Sequence, residues 1–572
     1  MLYSERLRRV SSLLLLAFAL LFVRLWWLNC WRGDDFVALA QNQRLLTLAE
    51  REFQRGDFLD RNGRSFTNRA ERCLLVFPSL TRQDEQHNTA YYQTFLTELL
   101  DSLHLSSSPE AYNLKSRLAA NEPFLLARNL SETQEQQVNE RASNLCGIFV
   151  CVYQPRYAAD SPAAHILGYV GPSSETEQQQ LASAGLADPE YIGKCGLEQQ
   201  YDALLRGRPS AQIAAAVDEQ GRMAANGLRE IPPGGQDSAL NVRLTLDATY
   251  QQICEEAMQG KNGAAVLLDV TNGDVLTMVS SPGFDQSVGQ PAAAGDVYLN
   301  KALSYYPPAS VFKLVLALAA LDNDISIDGE DFACSGGITL SNGHTVNCWQ
   351  EKGHGAEDMQ AALANSCNPY FITLGQKLGG KLIAEYAWRL GMTEQVLRGL
   401  DVKSQNMLDF SSAVPADVAN VSIGEKGIRA TPLMLARLMA TIANGGKLVE
   451  PRLVINLETA QGRTVQSIES SEPRQVVKPE SAAKLRQMLR TAVTNGTGKP
   501  VNSQLIAISG KTGTSQNFGV WFAGFFPSDE PRWAMAVYIA DGESGGGDAG
   551  RVCREVAEKL ALLEGIANQS RV

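Results

Sequence analysis

The chain has 572 residues, of which 44% are apolar and 20% charged, a composition typical of folded proteins with two or three domains rather than of disordered chains. Its formal net charge of −11 argues against a general nucleic-acid binder. The ten cysteines are too sparse for a disulfide scaffold, and neither C-x-x-C nor H-E-x-x-H occurs. The sequence therefore predicts no zinc or iron–sulfur site.

The first 31 residues predict a membrane anchor. Residues 1–9 carry three arginines against one acid, and the mostly apolar segment 10–31 is long enough to span a bilayer despite Arg24. The basic residues place the N-terminus in the cytoplasm and the rest of the chain outside it. A cleaved signal peptide, with Ala17-Phe18-Ala19 as the cleavage site, and a buried helix are the alternatives. Because the apolar run continues past that site, we favour an uncleaved anchor.

The organisation of the chain changes near residue 240. Residues 32–240 are polar and mixed, with Gln-rich helical stretches at 131–137 and 175–180, and they end at a linker or turn, Ile231-Pro232-Pro233-Gly234-Gly235. We therefore expect one domain before this linker and another after it.

The second region has clearer secondary-structure signals. Two apolar runs, 264–269 and 274–280, flank Thr271-Asn272-Gly273 and predict a β-hairpin. Residues 314–321 are apolar on every face, which predicts a helix in the centre of a core. Strands followed by helices, strands and a closing helix indicate an α+β domain with helices packed on an antiparallel sheet. The last predicted elements are strands over 505–509, 520–526 and 533–540 and a helix through Val552, Val556 and Leu560.

A serine and a lysine stand three residues apart where the apolar helix begins. The spacing in Ser310-Val311-Phe312-Lys313 puts the hydroxyl and the amine on one helix face. An amine at the mouth of an apolar core is desolvated, which lowers its pKa, so a neutral lysine can accept the serine proton. Backbone N–H groups at the helix start could stabilise an oxyanion. The motif predicts a serine nucleophile with a lysine base.

This motif alone has little specificity, because most isolated matches are solvated helix faces or turns. The residues 481–484 match S-x-x-K as well, and S-x-N also occurs at 404–406 and 515–517. The order of the motifs is more informative: Ser310–Lys313 is followed by Ser366-Cys367-Asn368 and then by Lys511-Thr512-Gly513, which occurs once.

The ordered set S-x-x-K, S-x-N, K-T-G resembles the signature of penicillin-binding proteins and serine β-lactamases. Seven further segments resemble elements of the class B penicillin-binding proteins, which are monofunctional D,D-transpeptidases of peptidoglycan synthesis. These segments are RGDFLDRNG (55–63), HILGYVG (165–171), GKCGLE (193–198), LTLD (244–247), TPL (431–433), NGG (444–446) and WFAG (521–524).

The resemblance implies the architecture and the partners. It implies a transpeptidase domain of the penicillin-binding-protein and serine β-lactamase type over 241–572, an extended non-catalytic pedestal or dimerisation-like domain over 32–240, and a single transmembrane helix over 10–31. The substrates would be peptidoglycan stem peptides ending in D-Ala-D-Ala, and β-lactams would inhibit. A SEDS-type glycosyltransferase in the membrane is the implied partner, and no cofactor is needed.

The resemblance also assigns roles to the motif residues. Ser310 would be acylated with Lys313 as its base, and the N–H groups of Ser310 and Thr514 would form the oxyanion hole. Ser366 would relay a proton to the leaving amine, and Asn368 would hold Lys313 and the substrate amide. Lys511 would attract the substrate carboxylate. The implied catalytic residues are Ser310, Lys313, Ser366, Asn368 and Lys511, and the implied substrate-binding residues are Thr512, Gly513 and Thr514.

Two other functions stay open. A β-lactamase or D,D-carboxypeptidase would pass the same acyl group to water, but no Glu-x-x-x-Asn lies between Asn368 and Lys511, which argues against a class A β-lactamase. A non-catalytic scaffold or β-lactam receptor is the other alternative, and the intact set of motif residues argues against it.

The chain departs from the family pattern in a few places. Gly424-Glu425-Lys426-Gly427 stands where the family commonly has G-Q-G, and Cys367 is an unusual middle residue for which a small packed side chain is the preferred interpretation. Cys334 and Cys348 could pair outside the cytoplasm. His344 and His354 are interpreted as polar contacts of loops.

Overall fold

The computed structural model describes most of the chain, and the predicted anchor over 10–31 lies outside the described part except for Phe18 and Arg24. Among the residues that the structure describes, no helix has both the length and the apolar character needed to cross a bilayer. The described residues are 18, 24, 45–47, 55–67, 71–81, 84, 86–105, 114–120, 122–153, 156–158, 161–183, 191–206, 212–217, 223–231, 239–288, 295–328, 332–340, 343–402, 415–425, 427–515 and 517–567.

Strands and helices are numbered in chain order. The strands are β1 Leu45–Thr47, β2 Phe58–Leu59, β3 Glu71–Val76, β4 Phe124–Ala127, β5 Ile148–Tyr153, β6 Val170–Pro172, β7 Tyr191–Gly193, β8 Gln212–Val217, β9 Met223–Ile231, β10 Asn241–Leu244, β11 Gly263–Asp269, β12 Val275–Ser281, β13 Ala333–Cys334, β14 Gly337–Thr339, β15 Thr345–Asn347, β16 Gly355–Ala356, β17 Lys447–Leu448, β18 Val454–Glu458, β19 Thr464–Ser467, β20 Arg474–Gln475, β21 Ser509–Ser515, β22 Gly519–Phe526 and β23 Trp533–Ile539. The helices are α1 Pro78–Thr81, α2 Thr89–Ser102, α3 Leu114–Ala120, α4 Glu132–Ala142, α5 Ala164–Leu167, α6 Glu175–Ser183, α7 Gly196–Gln200, α8 Asp202–Leu205, α9 Ala248–Met258, α10 Lys313–Asp322, α11 Met359–Ala364, α12 Asn368–Arg389, α13 Pro415–Ser422, α14 Pro432–Ala443, α15 Pro479–Thr494 and α16 Gly550–Leu563.

The chain divides into two compact units. The first comprises residues 1–54, 70–155 and 207–237, and the second comprises residues 55–69, 156–206 and 238–572. The second unit therefore takes in two segments that precede residue 240.

The first unit contains two three-stranded sheets, β4-β3-β5 and β1-β8-β9. Helices α2, α3 and α4 supply Leu96, Leu118 and Val138 to a buried cluster with Leu74 of β3. Helix α4 begins with a capping box, in which Ser131 and Gln134 each bond the other's backbone N–H. This cap fixes the start of a helix whose sequence is otherwise largely polar.

The core of the second unit is a five-stranded antiparallel sheet in the order β12-β11-β23-β22-β21. Side chains alternate between its faces, as the two-residue period of a strand requires. Leu267 of β11 belongs to a cluster with α9 and α16, whereas its neighbour Val266 packs with α10, α12 and α14. The predicted α+β arrangement of helices on an antiparallel sheet is confirmed.

Five of the predicted elements of this unit are confirmed. The β-hairpin is β11 with β12, the apolar helix is α10, and the strands near 520–526 and 533–540 are β22 and β23. Within α10 the run from Leu314 to Ala320 is completely buried. The closing helix is α16, in which Val552, Val556 and Leu560 face the core.

The prediction of a strand over 505–509 is wrong. The Ser503 hydroxyl accepts hydrogen bonds from the N–H groups of Leu505 and Ile506, which makes this stretch a turn, and β21 begins only at Ser509. Ile506 and Ile508 are buried as individual anchors. The K-T-G motif therefore lies inside a strand rather than after one, and this strand is at the edge of the sheet.

A buried ionic network joins distant segments of the second unit. The Glu198 carboxylate accepts hydrogen bonds from Arg55 (3.1 Å), Arg156 (2.6 Å) and the Tyr157 hydroxyl (2.7 Å). Burial alone would raise the pKa of Glu198, but the Arg156 and Arg55 guanidiniums outweigh it and hold this pKa below its ordinary value. Next to this network, β2 pairs in parallel with β10.

Candidate active site

Ser310 lies in a short turn of 3₁₀-helix, Ala309–Phe312, from which α10 continues. Neighbouring elements hold this turn in place: the Ala309 N–H donates to the Gly424 carbonyl (3.0 Å), and the Trp521 indole N–H donates to the Pro307 carbonyl (2.9 Å). Because α10 is buried along its length, the start of the helix cannot shift without disturbing the core. The Ser310 side chain itself is half-buried.

Lys313 connects the first two motifs. Its side chain is completely buried, and its Nζ donates to the Ser366 carbonyl (2.8 Å) and to Asn368 Oδ1 (2.8 Å) and lies 3.4 Å from Ser366 Oγ. The Nζ also lies 5.5 Å from the centre of the Phe371 ring. Burial lowers the pKa of Lys313 to about 8. An appreciable fraction of this amine is therefore neutral near pH 8 and can accept a proton.

The S-x-N motif forms the connection between α11 and α12. Ser366 has a positive φ of 57°, which is an unusual conformation for a residue with a side chain. Asn368 is the first residue of α12 and is followed by Pro369. The Asn368 side chain accepts from Lys313 and donates through Nδ2 to the Asn347 carbonyl (3.2 Å). This residue therefore links the nucleophile helix to the end of strand β15.

The third motif lies on β21. Lys511 is completely buried, Thr512 Oγ1 lies 2.7 Å from Thr497 Oγ1, and Thr514 is exposed. A Cβ atom added to Gly513 would lie 3.2 Å from both Pro308 O and Val311 Cγ2, so this position lets the strand pass close to the nucleophile turn. The structure therefore brings together all eight site residues predicted from the sequence.

Two buried amines share this site, and they influence each other. Burial, and secondarily the charge of Lys313, hold the pKa of Lys511 well below its ordinary value. A carboxylate that binds beside Lys511 favours the ammonium form of this lysine, because it supplies the missing counter-charge. The arrangement can thus keep one amine as a base and offer the other to an anionic group of a ligand.

Sequence reasoning missed several residues around these motifs. Phe371 follows Asn368 by three residues on the first turn of α12, and helical spacing alone could have placed it near Lys313. Thr497 reaches the site from a turn after α15, which no local signal indicates. Glu425 lies in the G-E-K-G segment that departs from the family pattern, and its carboxylate accepts a hydrogen bond from the Ser515 hydroxyl (3.0 Å). Burial raises the pKa of Glu425, although the Ser515 hydrogen bond and the charge of Lys313 lower it.

A group of potential metal ligands lies directly behind the S-x-N motif. Cys334, Cys348, His354 and Cys367 bring their ligand atoms within 4.8 Å of one another. The prediction of no zinc site rested on the absence of closely spaced ligand pairs, whereas these four side chains come from separate segments of the chain. The structure also has Cys334 and Cys348 as free thiols, so the disulfide considered for them is not formed. His354, interpreted above as a polar contact of a loop, is one of the four.

The site has the groups of a serine acyltransferase that uses a lysine in place of a histidine. These groups are a serine beside a buried lysine, a second hydroxyl, and another lysine on the neighbouring strand. Comparison with protein families agrees: the family described as "Penicillin binding protein transpeptidase domain" matches residues 263–558, and "Penicillin-binding Protein dimerisation domain" matches residues 51–239. The chain belongs to the penicillin-binding proteins, and its domain pair is that of class B.

Curated proteins and solved structures similar to this chain cover nearly all of it. Peptidoglycan D,D-transpeptidase MrdA of Acinetobacter baumannii is 26% identical over 96% of this chain and 86% of its own length. Stage V sporulation protein D of Bacillus subtilis is 26% identical over 94% of this chain and 81% of its own length. A chain from the structure "Structural coordination of polymerization and crosslinking by a peptidoglycan synthase complex" has a TM-score of 0.64 at 24% identity, with 99% of this chain and all of that one covered, and it supports the fold.

Proposed function

We propose that this protein is a peptidoglycan D,D-transpeptidase that cross-links stem peptides through an acyl-enzyme on Ser310. The observation that carries the proposal is the position of Lys313, a buried amine of lowered pKa that contacts both residues of the S-x-N motif. Membership of the transpeptidase family and the similarity to MrdA support the same reaction.

In the first half-reaction, Ser310 Oγ attacks the carbonyl of the penultimate D-alanine while its proton passes to Lys313. The negative charge on the carbonyl oxygen is stabilised by the backbone N–H groups of Ser310 and Thr514. The peptide C–N bond then breaks, and the leaving D-alanine takes a proton through Ser366. Lys511 and the neighbouring threonine hydroxyls bind the terminal carboxylate. An ester between Ser310 and the donor peptide remains.

In the second half-reaction, the amine of another stem peptide attacks this ester. The amine loses a proton to Lys313, the ester C–O bond breaks, and Ser310 Oγ regains its proton. The product is a new amide bond between two peptides. The same chemistry explains inhibition by β-lactams. When the strained ring acylates Ser310, the amine that would leave stays attached to the ester and is not released.

Labelling with a fluorescent penicillin tests the nucleophile. We expect the full chain to become labelled and the label to persist during a chase, whereas Ser310→Ala abolishes labelling. Ser481→Ala is the matched control, because Ser481 and Lys484 repeat the S-x-x-K spacing on α15, and it should label like the wild type. Loss of the label within seconds would indicate a β-lactamase, and unchanged labelling of Ser310→Ala would remove the assigned nucleophile.

We further propose that residues 10–31 anchor the chain in the membrane, with residues 1–9 in the cytoplasm and the catalytic domain outside, where peptidoglycan is cross-linked. The apolar length of the segment and the arginines before it support this topology. Protease added to spheroplasts should digest the catalytic domain, whereas a tag fused before residue 1 should stay protected. Digestion of the tag instead would reverse the orientation.

A SEDS-type glycosyltransferase is the proposed partner. The chain of similar fold in "Structural coordination of polymerization and crosslinking by a peptidoglycan synthase complex" supports such a pairing. Affinity purification of the full chain in mild detergent should recover a polytopic membrane glycosyltransferase. Deletion of residues 1–31 tests whether the anchor is needed for this recovery.

A further inference from the structure

Glu425 has a carboxylate at the active site that the proposed reaction does not use. The side chain is half-buried, and its Oε2 atom accepts a hydrogen bond from the Ser515 hydroxyl (3.0 Å). Its other carboxylate oxygen forms no hydrogen bond with a described residue, and no described lysine or arginine forms an ion pair with it. A half-buried carboxylate without a counter-charge can bind a cationic group of a ligand.

The backbone holds Glu425 beside the nucleophile. The carbonyl of the preceding residue, Gly424, accepts a hydrogen bond from the Ala309 N–H (3.0 Å), and Ala309 directly precedes Ser310. The negative charge of Glu425 also favours the ammonium form of Lys313, so the carboxylate is close enough to act on the proposed base. Glu425 therefore borders the place where the substrate is acylated.

Ser515, the partner of Glu425, lies on the same face of β21 as Lys511. The strand pairs regularly with β22, so the side-chain positions alternate and Lys511, Gly513 and Ser515 share one face. This face meets the nucleophile turn, since a Cβ atom on Gly513 would lie 3.2 Å from the Pro308 carbonyl oxygen. Ser515 follows Lys511 by four residues, which is about 13 Å along a strand. An amine thus marks one end of this face and a carboxylate the other.

The proposed reaction sets the direction in which the donor peptide runs along β21. Its terminal carboxylate binds at Lys511, and the carbonyl under attack lies between the N–H groups of Ser310 and Thr514. The peptide therefore continues past Thr514 towards Ser515. An extended peptide advances about 3.3–3.6 Å per residue, so the residue before the two D-alanines lies about 7 Å from the terminal one. A side chain of several carbons on that residue can reach Glu425.

The charge of the carboxylate indicates what this side chain carries. A carboxylate forms charge-assisted hydrogen bonds with an ammonium group, whereas an apolar side chain leaves it without a counter-charge and an anionic one is repelled. In the second half-reaction a stem peptide attacks through an amine, so stem peptides of this reaction have a free amine. A donor peptide of the same kind has this amine as well.

We propose that Glu425 binds the side-chain ammonium of the residue before D-Ala-D-Ala in the donor peptide, and that it selects stem peptides with a diamino acid at this position. Ser515 is a positioning residue, because its hydroxyl holds one oxygen of the Glu425 carboxylate. This assignment rests on the proposed function, since it uses the direction of the donor peptide along β21.

Two penicillins with matched side chains test the selection without requiring cross-linking. In a penicillin the acylamino side chain occupies the place of the peptide that precedes D-Ala-D-Ala. One compound has a 6-aminohexanoyl side chain, and the other has a heptanoyl side chain of the same length without the charge. Competition with a fluorescent penicillin gives the rate constant of acylation of the full chain in detergent. The amine-bearing compound should acylate about 5-fold faster or more. Equal rate constants would overturn the proposal.

A substitution assigns the preference to Glu425. Glu425→Gln should lower the ratio of the two rate constants to about 1, because the amide has no charge to offer. Any effect of this variant on the pKa of Lys313 acts on both penicillins and cancels in the ratio. Glu543→Gln is the matched control: it removes an exposed carboxylate two residues before Gly545, whose N–H lies 3.4 Å from Thr514 Oγ1, and it should keep the wild-type ratio. A wild-type ratio in Glu425→Gln would exclude Glu425 as the selecting residue.

Reversal of the charge gives a test that depends on a gain rather than a loss. Glu425→Lys should be acylated faster by a penicillin with an adipoyl side chain, which ends in a carboxylate, than by the amine-bearing compound, the opposite of the wild type. The same order as in the wild type would contradict the proposal. If the folded wild type were acylated by neither penicillin, or if Ser310→Ala were still acylated, the proposed function itself would fail, and this result differs from equal acylation by the two compounds.

Discussion

At the scale of single residues, the buried amine of Lys313 governs how the site responds to pH. Its pKa is lowered to about 8 by burial, and only the neutral amine can accept the Ser310 proton. Below this pH the ammonium form predominates, so the rate constant of acylation by penicillin should rise as the pH increases through about 8 and then level off. Stopped-flow acylation from about pH 6 to about pH 10 measures this profile. A flat profile across this range would exclude Lys313 as the base.

Two substitutions of Ser366 test its role in catalysis and its effect on stability separately. This residue has a φ of 57°, which is costly for any side chain, so Ser366→Gly should exceed Ser366→Ala in free energy of unfolding by about 1 kcal/mol. Both variants lose the hydroxyl, and both should slow acylation by about 10²-fold or more. Denaturant unfolding and penicillin acylation measure the two effects.

Asp324 is a suitable control for Ser366, because it has a φ of 52° and is exposed on a turn after α10. Asp324→Gly should relieve the same backbone strain without changing acylation. If Ser366→Gly acylated at the wild-type rate, the hydroxyl would have no part in the reaction.

The residues of the three motifs could be predicted because each motif is local and their order is distinctive. The group of Cys334, Cys348, His354 and Cys367 behind the S-x-N motif could not be predicted, since these residues follow no short spacing and meet only through the crossing of two loops. Thr497 was missed for the same reason. Contacts made by loops depend on backbone conformations such as those at Gly336 and Gly353, which sequence periodicity does not encode.

At the scale of elements, the turn that carries Ser310 depends on a close contact with the loop at Gly424. A Cβ atom on Gly424 would lie 2.0 Å from the Ala309 carbonyl oxygen, and its φ is +75°. Gly424→Ala should therefore lower the free energy of unfolding by more than the roughly 1–2 kcal/mol that a left-handed alanine costs, and it should also slow acylation.

Gly462→Ala is the matched control for this contact. Gly462 has a φ of +79°, but nothing lies within 4 Å of an added Cβ atom. Its alanine variant should show the backbone cost alone and acylate normally. Equal acylation by the two alanine variants would mean that the Gly424 loop does not hold the nucleophile turn. Thermal unfolding and penicillin acylation are the two measurements.

The predictability of the elements followed the strength of their patterns. The hairpin β11–β12 and the helix α10 were predicted because a turn sequence and a fully apolar run leave few alternatives. The strand expected over 505–509 was wrong because apolar residues there serve as separate anchors in a turn. Strand β21 itself, SGKTGTS, carries two glycines and several hydroxyls, so only its pairing with β22 makes it a strand.

At the scale of the whole molecule, the second unit is held together by charges that lie far apart in sequence. Glu198 is completely buried between Arg55 and Arg156. Glu198→Gln removes the carboxylate that pairs with the buried Arg156 and leaves Arg55 with Asp202 alone, and it should cost about 3–5 kcal/mol. Because the pKa of Glu198 is lowered in the folded protein, its contribution is present at neutral pH and is lost as the pH falls through that lowered pKa.

Denaturant unfolding at neutral pH and at a pH below 4.5, the ordinary pKa of a glutamate, measures this contribution. The wild type should lose more stability than Glu198→Gln on acidification. Glu385→Gln, which breaks an exposed pair with Arg389, should change the free energy of unfolding by no more than about 0.5 kcal/mol. A similarly small effect of Glu198→Gln would show that the network contributes little.

This long-range organisation was beyond prediction from local patterns. The segments 55–69 and 156–206 belong to the same compact unit as the catalytic region, through the Glu198 network and the parallel pairing of β2 with β10. Hydrophobic periodicity predicts which elements form but not which distant elements pair. The resemblance to the family identified sequence elements in both segments, but it did not predict their contacts with each other or with the catalytic region.

The edge position of β21 bears on how the protein could evolve under an antibiotic. On the side away from β22, no described strand pairs with β21, so a ligand can bind along its main chain. Main-chain N–H and C=O groups are common to all residues except proline, which lacks the N–H, so no other point mutation deletes them. Escape from a compound that uses these groups must therefore come from mutations that move the strand. Since Gly513 packs directly against the nucleophile turn, such mutations also disturb the natural substrate, which makes escape costly for the bacterium.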